Sequence, residues 1–68
     1  MFNEYDVVMA VRSLNRNVPA GTTGTVLVVY QKPRVAFEVE FTDDSGRSLD
    51  VLTVEEDDIE MVNPGGLK

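Results

Sequence analysis

The sequence predicts an all-β domain, a small five-stranded antiparallel barrel with one 3₁₀ turn before the last strand. Three observations predict it. Gly24-Thr25-Val26-Leu27-Val28-Val29-Tyr30 runs from a glycine-punctuated turn into an unbroken series of residues with high β-propensity. Phe37-Glu38-Val39-Glu40-Phe41 alternates apolar and acidic residues with the period of two that a half-buried strand requires. Further short apolar runs follow at close spacing, separated by turn formers, which is the pattern of a barrel or sandwich.

The first strand is expected over Tyr5 to Leu14. Tyr5, Val7, Met9 and Val11 fall on one face, and Asp6, Val8, Ala10 and Arg12 on the other. Val8 and Ala10 make the second face partly apolar, so both sides of this strand are expected to be covered. Asn15 to Gly24 reads as a loop, with Pro19 fixing φ and with Gly21 and Gly24 supplying positive φ or close backbone approach.

The second strand is expected over Thr25 to Gln31. Strict alternation would place Val26 and Val28 on one face and Leu27 and Val29 on the other, leaving one apolar side in need of cover. Gln31-Lys32-Pro33-Arg34 makes the next turn, Pro33 being suited to position i+1 of a β-turn. Val35 to Phe41 is the third strand, with Phe37, Val39 and Phe41 directed inward. Thr42 to Arg47 is a hairpin turn with Gly46 in the left-handed region.

Ser48 to Thr53 is the fourth strand, with Leu49, Val51 and Thr53 on one face and Leu52 on the other. Val54-Glu55-Glu56-Asp57-Asp58 is too short and too charged for a stable α-helix, so a single 3₁₀ turn is expected there. Ile59 to Val62 closes the sheet. Residues 1–62 form one domain on this reading, and 63–68 a flexible tail.

Composition narrows the chemistry. A chain of 68 residues buries only about 60% of the surface that its unfolded form exposes, so its core is small. With no Cys and no His, disulfides, thiolate or imidazole metal sites, and Ser-His or Cys-His nucleophilic pairs are excluded. Asp43-Asp44-Ser45-Gly46 lacks the ligand spacing of a calcium loop, and adjacent acids in a turn are ordinarily solvated turn formers. No segment reaches the roughly 18 apolar residues of a membrane span. The expectation is a non-enzyme without cofactor or metal, at work in the cytoplasm.

Charge is unevenly spread along the chain. The net value is −6, and from Asp43 to Glu60 the eight acids Asp43, Asp44, Asp50, Glu55, Glu56, Asp57, Asp58 and Glu60 are opposed by Arg47 alone. Arg12, Arg16, Lys32 and Arg34 lie in the first half. That polarity suggests a basic contact patch of Arg12, Arg16, Tyr30, Lys32 and Arg34 at one end, and an acidic one of Glu55, Glu56, Asp57 and Asp58 at another. A docked protein or a weak homodimer is the expected partner. Nucleic acid is disfavoured, because phosphate binding relies on clustered cations.

Four stretches carry a resemblance to a known family. They are Phe2-Asn3-Glu4-Tyr5-Asp6-Val7-Val8, Pro19-Ala20-Gly21-Thr22-Thr23-Gly24-Thr25-Val26, Phe37 to Phe41 with Asp44-Ser45-Gly46-Arg47, and Leu52 to Ile59. Together they resemble an uncharacterised bacterial domain-of-unknown-function family of small acidic SH3-like barrel proteins. The resemblance spans about residues 2 to 62 and implies a fold and a bacterial origin without an activity.

More remotely, Gly24-Thr25-Val26 and Val39-Glu40-Phe41 resemble the SH3-like electron-transport accessory proteins, which dock on larger partners without performing catalysis. The same Gly-Thr-Val stretch resembles the KOW elements of ribosomal and transcription proteins. These likenesses imply a non-catalytic protein-binding or accessory module. The alternatives are an antitoxin or immunity-type protein that neutralises a basic partner, and a KOW-like nucleic-acid-associated domain.

Overall fold

The computed structural model describes residues 1–62, so the expected tail at 63–68 lies outside the described residues. Five strands form one antiparallel sheet: β1 (Val7–Ala10), β2 (Thr23–Tyr30), β3 (Ala36–Thr42), β4 (Ser48–Val54) and β5 (Ile59–Met61). A 3₁₀ turn, Glu56–Asp58, precedes β5. The spatial order is β4-β3-β2-β1-β5. The chain meanders outward from β2 to β4, then crosses back through the 3₁₀ turn to lay β5 beside β1.

One face of the sheet carries the core. Val8, Ala10, Val26, Phe37, Val39, Phe41, Val54 and Ile59 are buried there, joined by Val18 from the loop after β1 and by Phe2. The Phe2 ring meets Phe37 edge to face, with centroids 5.3 Å apart. Burying a phenylalanine such as Phe37 contributes about 2–3 kcal/mol, so the β3 triplet Phe37, Val39 and Phe41 is the energetic centre of this small core. The inward alternation expected for that strand is what the fold uses.

β2 departs from the expected alternation. Val26 pairs with Val39 and Val28 with Glu38, so the register shifts by one residue and Leu27 is the extra one. A bulge reverses the parity of every residue beyond it. Val26 and Val29 therefore share the core face, Val29 opposite Phe37, while Val28 turns outward and is 37% exposed. The shared face expected for Val26 and Val28 is overturned by this bulge.

β1 and β4 also differ from expectation. β1 is four residues long, and its core face is Val8 and Ala10, while Val7 on the opposite face is exposed. The Tyr5–Leu14 strand ends early because the chain enters a loop after Ala10. In β4, Leu52 and Val54 lie opposite Val39 and Phe37 and face the core. Leu49, Val51 and Thr53 are exposed. Val54 belongs to the strand and not to the 3₁₀ turn, and β5 stops at Met61.

Two glycines serve different ends. Gly21 sits in the loop at φ +90°, a conformation that side chains disfavour. Gly24 lies inside β2, paired with both Val8 and Phe41. A Cβ there would come within 2.7 Å of the Glu40 carbonyl oxygen and 2.8 Å of Val39, so close packing and not φ requires the glycine. Gly46 takes φ +87° in the β3–β4 hairpin, as its sequence position implies.

Candidate functional site

A cleft of about 450 Å³ opens where the β2–β3 hairpin meets the end of β4. Tyr30 and Ala36, a cross-strand pair, form one wall, and Thr53, Val54 and Glu55 the other. Lys32, Pro33 and Arg34 make the rim, and the Lys32–Pro33 peptide bond is cis. Pro33 supplies an apolar edge to that rim. Pro33, Ala36, Thr53 and Val54 were not singled out as contact residues by the sequence. Only the register of β3 against its two neighbours brings them together.

Tyr30 is held by a short polar network. Its hydroxyl donates to Glu38 Oε1 at 3.3 Å, and the same oxygen accepts from Thr53 Oγ1 at 2.8 Å. The nearby Glu38 charge, with some loss of solvation and the hydrogen bond itself, raises the phenol above its ordinary pKa of 10.0. A phenol shifted that way stays protonated and is a poor nucleophile or base. It suits contact: an aromatic body 40% exposed, with a fixed polar tip.

The expected separation of a basic end from an acidic end is not what the topology produces. Arg34 Nη2 lies 3.1 Å from Glu55 Oε2. Arg12 pairs with Asp58, and its Nη1 donates to the Asp57 carbonyl at 3.5 Å. Both pairings follow from the strand ladder. Ala10 pairs with Ile59 and the Val11 N–H donates to the Asp58 carbonyl, which brings Arg12 to the 3₁₀ turn. Phe37 pairs with Val54, which brings the chain before β3 toward Glu55.

Asp58 is also the turn's own lock, since its Oδ2 accepts the Glu55 N–H at 2.8 Å. Arg12 and Asp58 are thus engaged in holding β1, the turn and β5 together. Glu56 and Asp57 are exposed on the turn, and Arg16 is exposed in the tight Asn15–Val18 bend, away from the cleft. Of the residues singled out in the sequence, Tyr30, Lys32, Arg34 and Glu55 converge on one site.

A second cleft of about 370 Å³ lies against Ala20 to Thr23, with Thr42, Asp43, Asp44 and Leu49 opposite. Its acidic wall is unsuited to a phosphate. Asp43 Oδ1 is already occupied, accepting from the Ser45 and Arg47 N–H groups at 2.9 Å and from Ser45 Oγ at 2.8 Å. Those bonds, the Arg47 N–H foremost, hold the Asp43 carboxyl below its ordinary range. Asp43 builds the turn, in keeping with its reading as a turn former.

Residues 4–61 match the family model described as Domain of unknown function (DUF4926). The chain belongs to that family. No curated protein and no solved structure matches it. The DUF4926 match covers the whole sheet and the 3₁₀ turn, including every lining residue of the cleft. Among its described residues, no helix is long and apolar enough to cross a membrane, and no group of three or more carboxylates is arranged to hold a metal ion.

Proposed function

We propose that this DUF4926 domain is a non-catalytic protein-binding or accessory module of a bacterial cytoplasm, built as an SH3-like barrel, and that it docks its partner at the Tyr30–Glu55 cleft. The observation that carries the reading is the convergence of Tyr30, Lys32, Arg34 and Glu55 on one cleft that Pro33, Ala36 and Val54 also line. An amphipathic aromatic beside flexible charges is a common composition for a protein contact. The strand order β4-β3-β2-β1-β5, with a 3₁₀ turn leading into the last strand, supports the SH3-like assignment.

One observation favours a protein over a nucleic acid. Arg12 and Arg34 are matched to carboxylates, which lowers the positive potential a phosphate backbone would meet.

Affinity capture from a bacterial lysate tests the proposal when wild type is run beside a Tyr30→Ala/Lys32→Glu variant. The wild type retains a discrete protein and the variant loses it. Equal retention by both would remove the cleft from the interface.

A further inference from the structure

The face of the sheet turned away from the core has its own pattern. Across β1, β2, β3 and β4 one row reads Val7, Thr25, Glu40, Val51, and the next reads Val28, Glu38, Thr53 over β2 to β4. Glu38 and Glu40 form a column along β3, about 7 Å apart. Val28 and Thr25 flank it on one side, and Val51 and Thr53 on the other. Val28 is 37% exposed and Val51 43%.

None of the five strands contains a Lys or Arg, so no cation on the sheet answers this column. The hydroxyls of Thr53 and Tyr30 are the groups that reach Glu38.

We infer that this outer face docks a basic segment of another protein, one whose Lys or Arg side chains are interleaved with aliphatic residues. A lysine or arginine suits the surface in both its parts. The stem lies along Val28 or Val51 while the head reaches Glu38 or Glu40, the way long cationic side chains cover apolar ground. A second copy of this chain fits poorly, because Glu38 and Glu40 would meet acids of their own kind in a chain of net charge −6. The inference rests on the protein-binding reading, and this face adjoins the cleft, since Thr53 lies in both and Tyr30 reaches Glu38.

The test is an amide chemical-shift titration of the isotope-labelled protein. Its probes are a short peptide alternating Lys and Val and a matched peptide alternating Glu and Val. The lysine peptide is expected to give saturable shifts at Thr25, Val28, Glu38, Glu40 and Val51, and the glutamate peptide none. Glu38→Gln/Glu40→Gln keeps an acceptor for Thr53 and removes the charge, and should weaken the lysine peptide about fivefold or more.

Shifts confined to Glu55–Asp58, equal binding of both peptides, or affinity unchanged in the double variant would each overturn the inference. So would a wild-type dimer in sedimentation that buries this face. A Lys32→Glu variant separates the two surfaces: it impairs the cleft and leaves the Glu38–Glu40 column intact. Lysine-peptide binding should survive that variant whether or not the cleft proposal holds, and its loss there would count against the outer face.

Discussion

The Asn15 side chain donates to Asp50 Oδ2 at 2.9 Å, while the other oxygen of Asp50 accepts the Val51 N–H at 2.9 Å. One carboxylate therefore ties the loop after β1 to β4, a strand that among the described residues has β3 on one side and no strand on the other. Open edges invite pairing with other chains and are commonly blocked by charge or by covering loops. Here both devices meet in one residue. Replacing Asp50 by Ala should speed hydrogen exchange at the Val51 amide and lower Tm, with greater self-association on size-exclusion chromatography. Unchanged exchange at Val51 would show that the carboxylate does not hold that N–H.

Acid should weaken the fold through the same carboxylate and through Asp43. Asn15 first, then the Val51 N–H, hold the Asp50 carboxyl below its ordinary pKa, and the Arg47 N–H does the same for Asp43. A pKa lower in the folded than in the unfolded state means that the unfolded chain binds the proton more readily. The stabilisation is thus complete well above about pH 4 and is lost as pH falls through the folded values. A Tm series from neutral to acid pH should show that decline, and Asp50→Asn should flatten it. A Tm independent of pH in that range would contradict the assignment.

Gly24 and Gly21 should respond to alanine for unlike reasons. At Gly24 the added methyl meets backbone oxygen and two core side chains, and the cost should be about 1–3 kcal/mol. At Gly21 an added methyl would meet no other described residue beyond its chain neighbours within 4 Å, so the cost comes from φ alone, about 1 kcal/mol. Urea unfolding of both variants measures the difference. A Gly24→Ala protein as stable as wild type would mean that β2 and β3 approach less closely than described.

Tyr5 is a non-glycine residue at φ +70° and is largely exposed, inside the Asn3–Asp6 turn that precedes β1. Its N–H donates to the Val26 carbonyl, which keeps the backbone in place. Tyr5→Asn relieves part of the left-handed cost and should stabilise the fold by a few tenths of a kcal/mol to about 1. Thermal unfolding checks the sign, and a drop in Tm would show that the ring contributes more than the conformation costs.

The Leu27 bulge makes a sharp prediction for its neighbours. Val29, on the core side, should cost about 1–2 kcal/mol when changed to Ala, and Val28 about 0.5 or less. Strict alternation through the strand would instead give Val28 the cost of Val26. Denaturant unfolding of the two variants decides between them.

These cases show where the residues speak plainly and where they do not. β3 is legible because glutamates mark every outward position between Phe37 and Phe41. In Val26-Leu27-Val28-Val29 every side chain is apolar, so nothing in the residues marks the bulge that reverses the faces. The bulge in β4 beyond Phe41–Asp50 is hidden in the same way, since Leu49, Val51 and Leu52 are equally apolar. Gly46 and the Asp43 hairpin were readable because turn geometry is local. The cleft and the Arg12–Asp58 and Arg34–Glu55 pairs were not, because they depend on which strands lie side by side. Charge separated along the chain became charge matched across the sheet.

Partner contact at the hairpin cleft can be read from amide hydrogen exchange of the protein alone and with its captured partner. Exchange should slow at Tyr30 to Ala36, Pro33 having no N–H, and at Thr53 to Glu55. Slowing confined to the Gly21 loop and the Asp43 hairpin, with Tyr30 to Ala36 unchanged, would contradict it.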